Sequence, residues 1–344
     1  MIRSLSIATP FLVCLFWFAV FLLHYAKGNR AQRFLCCFFA TGAVLYFCHF
    51  YYFSGGESVM LEVLWTICSL SVYPLYYEYL RRLTKGNSTP ARLVLLLLPG
   101  ILVGLSKLVI PFKVADIARQ ILNMVQMVLV CWFGIRLLRA FSREISEVYA
   151  DTEGKDAKGV RPLLLAFVLT SLVSGGANVL GRQSYFDKEV LIVAFALIFT
   201  ALLFLLGYIG LTQTFSCEQL RKDGLPGEDR QGPDSLGERL EELMTVRKFY
   251  LTHDLKINDV ALALGTCRTY VSNYINQSCG CSFSEYVNRK RIEYAKTLLK
   301  EGAPDKMAGI AHESGFSTEQ SFYTNFKKYV HSSPLEWQKQ NANP

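Results

Sequence analysis

The sequence predicts an all-α protein, a polytopic helical membrane bundle followed by a soluble double helix-turn-helix domain. Three observations predict it. Apolar residues make up 51% of the chain and crowd into its first two thirds as seven long runs, the compositional mark of membrane helices. From about residue 234 the pattern changes to amphipathic helices with apolar residues three and four apart. Within that stretch two patterns of helix, glycine turn and helix follow one another, an arrangement that can place a second helix in a DNA groove. With 344 residues, about two domains are expected: a bundle over 1–215, a linker over 216–233 and a reader over 234–344.

The bundle is predicted from runs long enough to cross a hydrocarbon core of ~30 Å, at approximately 5–26, 34–53, 59–80, 92–112, 117–138, 162–181 and 190–212. The first run is too long and aromatic for a cleaved signal peptide and lacks a basic leader, so it is retained as a span. Loop charge orients the set. Lys27, Arg30 and Arg33 follow the first span, Arg81, Arg82, Lys85 and Arg92 bracket the third loop, and Arg136, Arg139, Arg143, Lys155, Lys158 and Arg161 surround the fifth. The positive-inside rule then puts the N-terminus outside and, with an odd number of spans, the C-terminus inside. DNA is inside as well, so the expected location is a bacterial inner membrane, multi-pass, with a cytoplasmic reader.

Polar groups within spans are costly in lipid and are therefore functional candidates. His49, Glu62, Lys107, Asn123, Gln126 and Asn178 all fall in the outer halves of their spans, where they could line an outward-facing ligand pocket. Competing with that is snorkelling of Lys107 and Glu62 to the interface, with the amides bonding between helices. The external loops are short, so a signal would be a small molecule, a lipid or a partner protein.

The ten cysteines form no disulfide framework, and Cys279 and Cys281 lack a second pair at zinc spacing. No metal site and no cofactor are expected. Neither are catalytic residues: there is no paired-carboxylate set, nucleophile elbow or phosphate loop. The formal charge of +8 is not a property of the reader, since Lys and Arg number 14 against 13 Asp and Glu from Asp234 onward. Non-specific DNA affinity, which scales with phosphates neutralised, is expected to be modest.

After the last span, residues 216–222 could extend the helix before the Gly/Pro-rich run 223–233 breaks it as a linker. A first reader helix is predicted over about 235–251, with Leu236, Leu240, Leu243 and Tyr250 on one face. The first motif runs over 257–275 with its turn at Gly265, and the second over 307–326 with its turn at Gly315. A long helix over 282–300 joins them, with Phe283, Tyr286, Ile292, Ala295, Leu298 and Leu299 as its buried face. Val271, Tyr274, Ile275, Phe322 and Phe326 are assigned to the core.

The run Cys281-Ser282-Phe283-Ser284-Glu285-Tyr286-Val287-Asn288-Arg289-Lys290-Arg291-Ile292 resembles the DNA-binding domain of AraC-type transcriptional regulators. Further blocks carry the likeness, at Ile310-Ala311, Gly315-Phe316-Ser317, Phe322, Phe326-Lys327-Lys328 and Ser333-Pro334-Leu335-Glu336-Trp337. It covers about the last 105 residues and none of the bundle. The resemblance implies base-reading side chains at Thr269, Ser272 and Asn273 beside Arg268, and at Glu319, Gln320, Tyr323 and Thr324. Asn and Gln can pair with adenine, and Ser and Thr bond to either base type, whereas Arg268, Lys327 and Lys328 suit phosphates, which position without specifying. Cys267 stands where the family usually has a capping Ser, so the cap of the first recognition helix is weak unless Thr266 supplies it.

The partners expected are double-stranded promoter DNA, the lipid bilayer, an unidentified signal and a second copy of the chain, since paired sites suit a dimer. The leading reading is a one-component, membrane-embedded transcriptional regulator. Two alternatives are a tethered regulator released by proteolysis near 213–233, and a transporter or membrane enzyme with a regulatory DNA-binding appendage.

Overall fold

A computed structural model describes residues 2–24, 30–86, 89–157, 159–179, 189–213, 215–223, 236–301 and 307–341. Among these residues the chain is helical without strands; the one ladder contact is an isolated antiparallel bridge between Tyr149 and Lys256. The chain divides into two compact units, and no single cut in the sequence separates them. The first comprises residues 1–141 and 157–217, the second 142–156 and 218–344.

The first unit holds α1 (Ile2–Leu23), α2 (Arg30–Phe53), α3 (Val59–Lys85), α4 (Pro90–Ser106), most of α5 (Phe112–Val148), α6 (Val160–Val179) and α7 (Glu189–Thr212). These seven helices fall on the seven apolar runs. By length and composition, Ala31–Phe53, Val59–Lys85, Phe112–Val148 and Val193–Asp223 could each cross a membrane, while Ile7–Leu23, Pro90–Ser106 and Val160–Leu169 are shorter apolar stretches. α1 packs on α2 and α7, α2 on α3, and α3 on α4. Small residues allow the last approach: a Cβ on Gly104 would sit 2.4 Å from the Ile67 side chain, and one on Gly100 3.1 Å from that of Leu70. Ser58 caps the start of α3 and Gly86, at φ 73°, ends it.

α8 (Cys217–Asp223) follows as a separate helix: 216–222 does not extend the last span, because α7 ends at Thr212 and residues 213, 215 and 216 are not helical. The predicted linker from Gly224 to Pro233 lies outside the described residues. The second unit then contains α9 (Leu236–Thr245), a 3-10 turn over Phe249–Leu251, α10 (Ile257–Ala263), α11 (Arg268–Ser278), α12 (Phe283–Lys300), α13 (Met307–Glu313), α14 (Glu319–Val330) and α15 (Pro334–Asn341). The first reader helix is shorter than the predicted 235–251. It stops at Thr245, Val246 is left exposed, and Lys248 adopts φ 49°, so Tyr250 enters the core from a tight turn.

Two apolar clusters build this unit. One gathers Leu240, Leu243, Met244, Val260, Val271, Ile275, Phe283 and Val287; the other gathers Ile292, Ala295, Leu299, Ile310, Phe322 and Phe326. α12 supplies both, its N-terminal half to the first and its C-terminal half to the second. All six residues predicted for its buried face are buried. A capping box fixes its start: the Ser282 hydroxyl accepts from the Glu285 N–H at 3.3 Å and the Glu285 carboxylate accepts from the Ser282 N–H at 3.4 Å. Arg291, fully buried in the middle of α12, donates from Nε to the Tyr250 carbonyl at 2.7 Å and from Nη2 to that of Thr252 at 2.8 Å. Burial pushes its pKa down to about 10.

Candidate nucleic-acid interface

Each motif turns at a glycine in the left-handed region, Gly265 at φ 64° and Gly315 at φ 84°. The two sites differ in crowding. Nothing lies within 4 Å of a Cβ on Gly265, whereas one on Gly315 would meet the Leu251 backbone at 2.7 Å. The second motif is thus locked onto the 3-10 turn of the first half.

The helices after these turns carry the predicted reading residues. On α11, Val271 and Ile275 face inward, fully buried, and Tyr274 packs partly buried against the same cluster. Thr269 and Asn273 are exposed, and Arg268 and Ser272 half-buried. On α14, Phe322 and Phe326 are fully buried while Glu319, Gln320 and Thr324 are exposed and Tyr323 is half-buried. Both helices therefore turn an apolar side to α12 and its partners and a polar side outward, with amide and hydroxyl groups suited to base edges.

Cys267 is the N-cap of α11 and makes no side-chain cap bond. Thr266 does not replace it, since its buried hydroxyl has no partner. The α14 start is better held: the Thr318 hydroxyl accepts from the Ser321 N–H at 3.0 Å. Lys327 and Lys328 are exposed in the last turn of α14. Lys328 is paired with Glu285 at 2.9 Å and stacks over Tyr329, so a phosphate would have to compete for it.

Sequence reasoning missed what lies beside these residues. Glu147, from the 142–156 segment, accepts from Ser272 at 3.4 Å and from Asn276 at 3.2 Å. Asp151 accepts from Ser321 at 2.8 Å, and Glu153 from the Thr318 hydroxyl. The segment reads in sequence as a charged loop between two spans, and nothing in its local pattern says where it docks.

The first unit, taken by itself, contains a cavity of about 580 Å³. His49, Glu62 and Asn123 line it, together with Trp65, Asp116 and Arg119. Lys107 does not line it but is fully buried behind, 3.0 Å from Glu62 and 2.9 Å from Asp116, so Lys107 pairs with the acids and does not snorkel. Arg119 lies 4.4 Å above the Trp65 ring and 3.4 Å from Asp116. Gln126 is half-buried outside the lining, with its Oε1 buried and unpartnered. The side chain of Asn178 lies outside the described residues. No cluster of three metal-ligating side chains occurs among the described residues.

Comparison with known proteins bears on the second unit alone. Residues 260–340 match the family described as Helix-turn-helix domain. Over 81 residues the chain is 37% identical to the uncharacterized HTH-type transcriptional regulator YijO of Escherichia coli (strain K12), covering 24% of this chain and 28% of that protein. Over 100 residues it is 25% identical to an uncharacterized HTH-type transcriptional regulator of Staphylococcus aureus (strain MSSA476), covering 29% of this chain and 13% of that one. The chain thus spans less than a third of the length of either relative. The C-terminal domain of AraT, a response regulator from Geobacillus stearothermophilus, aligns with 28% identity and a TM-score of 0.29, over 31% of this chain and 86% of that one. The C-terminal part of this chain is thus similar to a helix-turn-helix domain and to part of proteins described as HTH-type transcriptional regulators.

Proposed function

We propose that the chain is a membrane-embedded one-component transcriptional regulator, in which a seven-span bundle senses a signal and the cytoplasmic C-terminal unit binds promoter DNA sequence-specifically. The observation that carries this reading is the pair of recognition helices. α11 and α14 each offer exposed Thr, Asn or Gln side chains at positions the family uses, and both are set on the rigid α12. Such side chains discriminate bases by about 1–3 kcal/mol per good contact.

The membrane part of the reading rests on the apolar helices and on loop charge. Seven spans oriented by their basic loops leave the N-terminus outside and the C-terminus with the DNA. The signal enters the cavity of the first unit, whose aromatic walls and paired charges suit a small amphiphile. A signal of this kind acts only by favouring one conformational state over another. A reader of near-neutral charge gains from a second copy or from confinement at a membrane, because local concentration substitutes for affinity.

Selection tests the DNA half. Full-length protein in lipid nanodiscs is used to select duplexes from a random-sequence pool, beside a Thr269→Ala/Gln320→Ala variant. The expected result is enrichment of a motif with two blocks about one helical turn apart, lost in the variant. No enrichment by the intact chain would sink the reading.

A further inference from the structure

The segment 142–156, the last turns of α5 and part of the connection to α6, belongs to the second unit although the rest of α5 and all of α6 belong to the first. Its position there is built. Ala150 is fully buried; its N–H donates to the Leu255 carbonyl at 2.9 Å, and its carbonyl accepts from Ser284 and from Asn288, both at 2.8 Å. Tyr149, also buried, donates its hydroxyl to Asp223. Lys155 pairs with Asp254 at 3.6 Å. Ser284 and Asn288 belong to α12, so the segment wedges against the helix that joins the two motifs.

From this wedge three carboxylates reach the recognition helices. Glu147 takes the hydrogen of Ser272, a reading residue, and bonds Asn276 one turn further along α11. Asp151, itself buried, takes the hydroxyl hydrogen of the buried Ser321 in the first turn of α14, and Glu153 takes that of the exposed N-cap Thr318. An exposed hydroxyl at a helix start, as at Thr318, is where a DNA phosphate would be received. The segment holds five acidic residues against two basic ones, so it presents net negative charge to the surface that DNA must approach.

We propose that residues 142–156 are an acidic strap occupying the DNA-reading surface of the second unit, so that strap and duplex DNA exclude one another. The inference rests on the DNA-reading assignment above and deepens it. A serine hydroxyl has one hydrogen to donate, so while Ser272 gives it to Glu147 it cannot donate it to a base edge. Carboxylates beside both recognition helices also repel the incoming backbone. The strap is continuous with α5, which carries Asp116, Arg119 and Asn123 of the cavity on the same helix. The bundle therefore holds the reader shut through its own chain, and a ligand that moves α5 withdraws the strap.

The test uses full-length protein in lipid nanodiscs, titrated with a labelled random-sequence duplex pool. Glu147→Gln/Asp151→Asn/Glu153→Gln removes the three strap carboxylates that bond the recognition helices; Glu238→Gln/Glu242→Gln/Glu313→Gln removes the same charge from exposed positions outside the strap. The strap variant is expected to bind about tenfold more tightly than both the wild type and the charge-matched control. Equal affinity of the two variants would overturn the strap while leaving DNA binding intact. Failure of every species to bind would sink the DNA-reading assignment, and the strap with it. Hydrogen exchange on the wild type at saturating DNA gives a second readout, independent of whether the variant folds. The peptide spanning 142–156 is expected to lose protection, and retained protection with DNA bound would contradict exclusion.

Discussion

Gln320 stands exposed near the start of α14 and Thr269 near the start of α11, where a helix entering a groove presents its first residues. Replacing either by alanine should cost about 1–3 kcal/mol against selected sequences and little against random DNA, measured as the affinity ratio between the two. Lys327→Ala should weaken binding on all sequences alike and reduce the salt slope by about one, as a salt titration would show. These positions were legible in the sequence because helix periodicity and the AraC-type blocks locate them together. Asn276 and Ser321 were not, because their role depends on carboxylates that come from more than a hundred residues away. The glycines separate on the same grounds. Gly265→Ala should cost roughly 1–2 kcal/mol for its left-handed backbone alone; Gly315→Ala adds a clash with the Leu251 backbone. Limited proteolysis should therefore open the second motif in Gly315→Ala well before Gly265→Ala opens the first.

Among elements, α12 decides whether the reader is one body. Its boundaries and buried face followed from spacing and the Ser282 to Glu285 signature, because an amphipathic helix between two polar turns has few other ways to bury Phe283, Ile292 and Leu299. The cross-links that hold it were not legible. Lys290 bonds Glu241 at 2.6 Å and Lys328 bonds Glu285 at 2.9 Å, and these lysines hold both carboxyls below their ordinary value of 4.5. A carboxyl depressed in the folded state stabilises the fold above its unfolded value, and that stability is lost as pH falls through the folded one. The second unit should accordingly weaken as pH drops below about 4.5, by a small amount at these part-exposed sites. Glu241→Gln/Glu285→Gln should flatten that acid limb of a denaturation curve. α9 is the element least legible in the sequence: its apolar stripe continues to Tyr250, but the backbone reverses at Lys248.

For the whole molecule, the all-α class and the place of the reader were legible because a change from continuous apolar runs to 3.6-residue periodicity is visible without tertiary information. The partition into units was not, since 142–156 crosses from one to the other. In the reading proposed here, that crossing makes a membrane protein and a DNA reader into a switch, with α5 running from the bundle into the first half of the strap.

The most direct test of the central claim is genome-wide DNA occupancy of the full-length, C-terminally tagged chain in its host, with the tagged species sized in the membrane fraction of the same cells. It is run on the wild type and on Glu147→Gln/Asp151→Asn/Glu153→Gln, each with and without Thr269→Ala/Gln320→Ala. An anchored regulator predicts discrete peaks from intact, membrane-bound protein, stronger in the strap variant and erased when the reading residues are lost. Peaks that survive the loss of Thr269 and Gln320, or no peaks even with the strap neutralised, would contradict it.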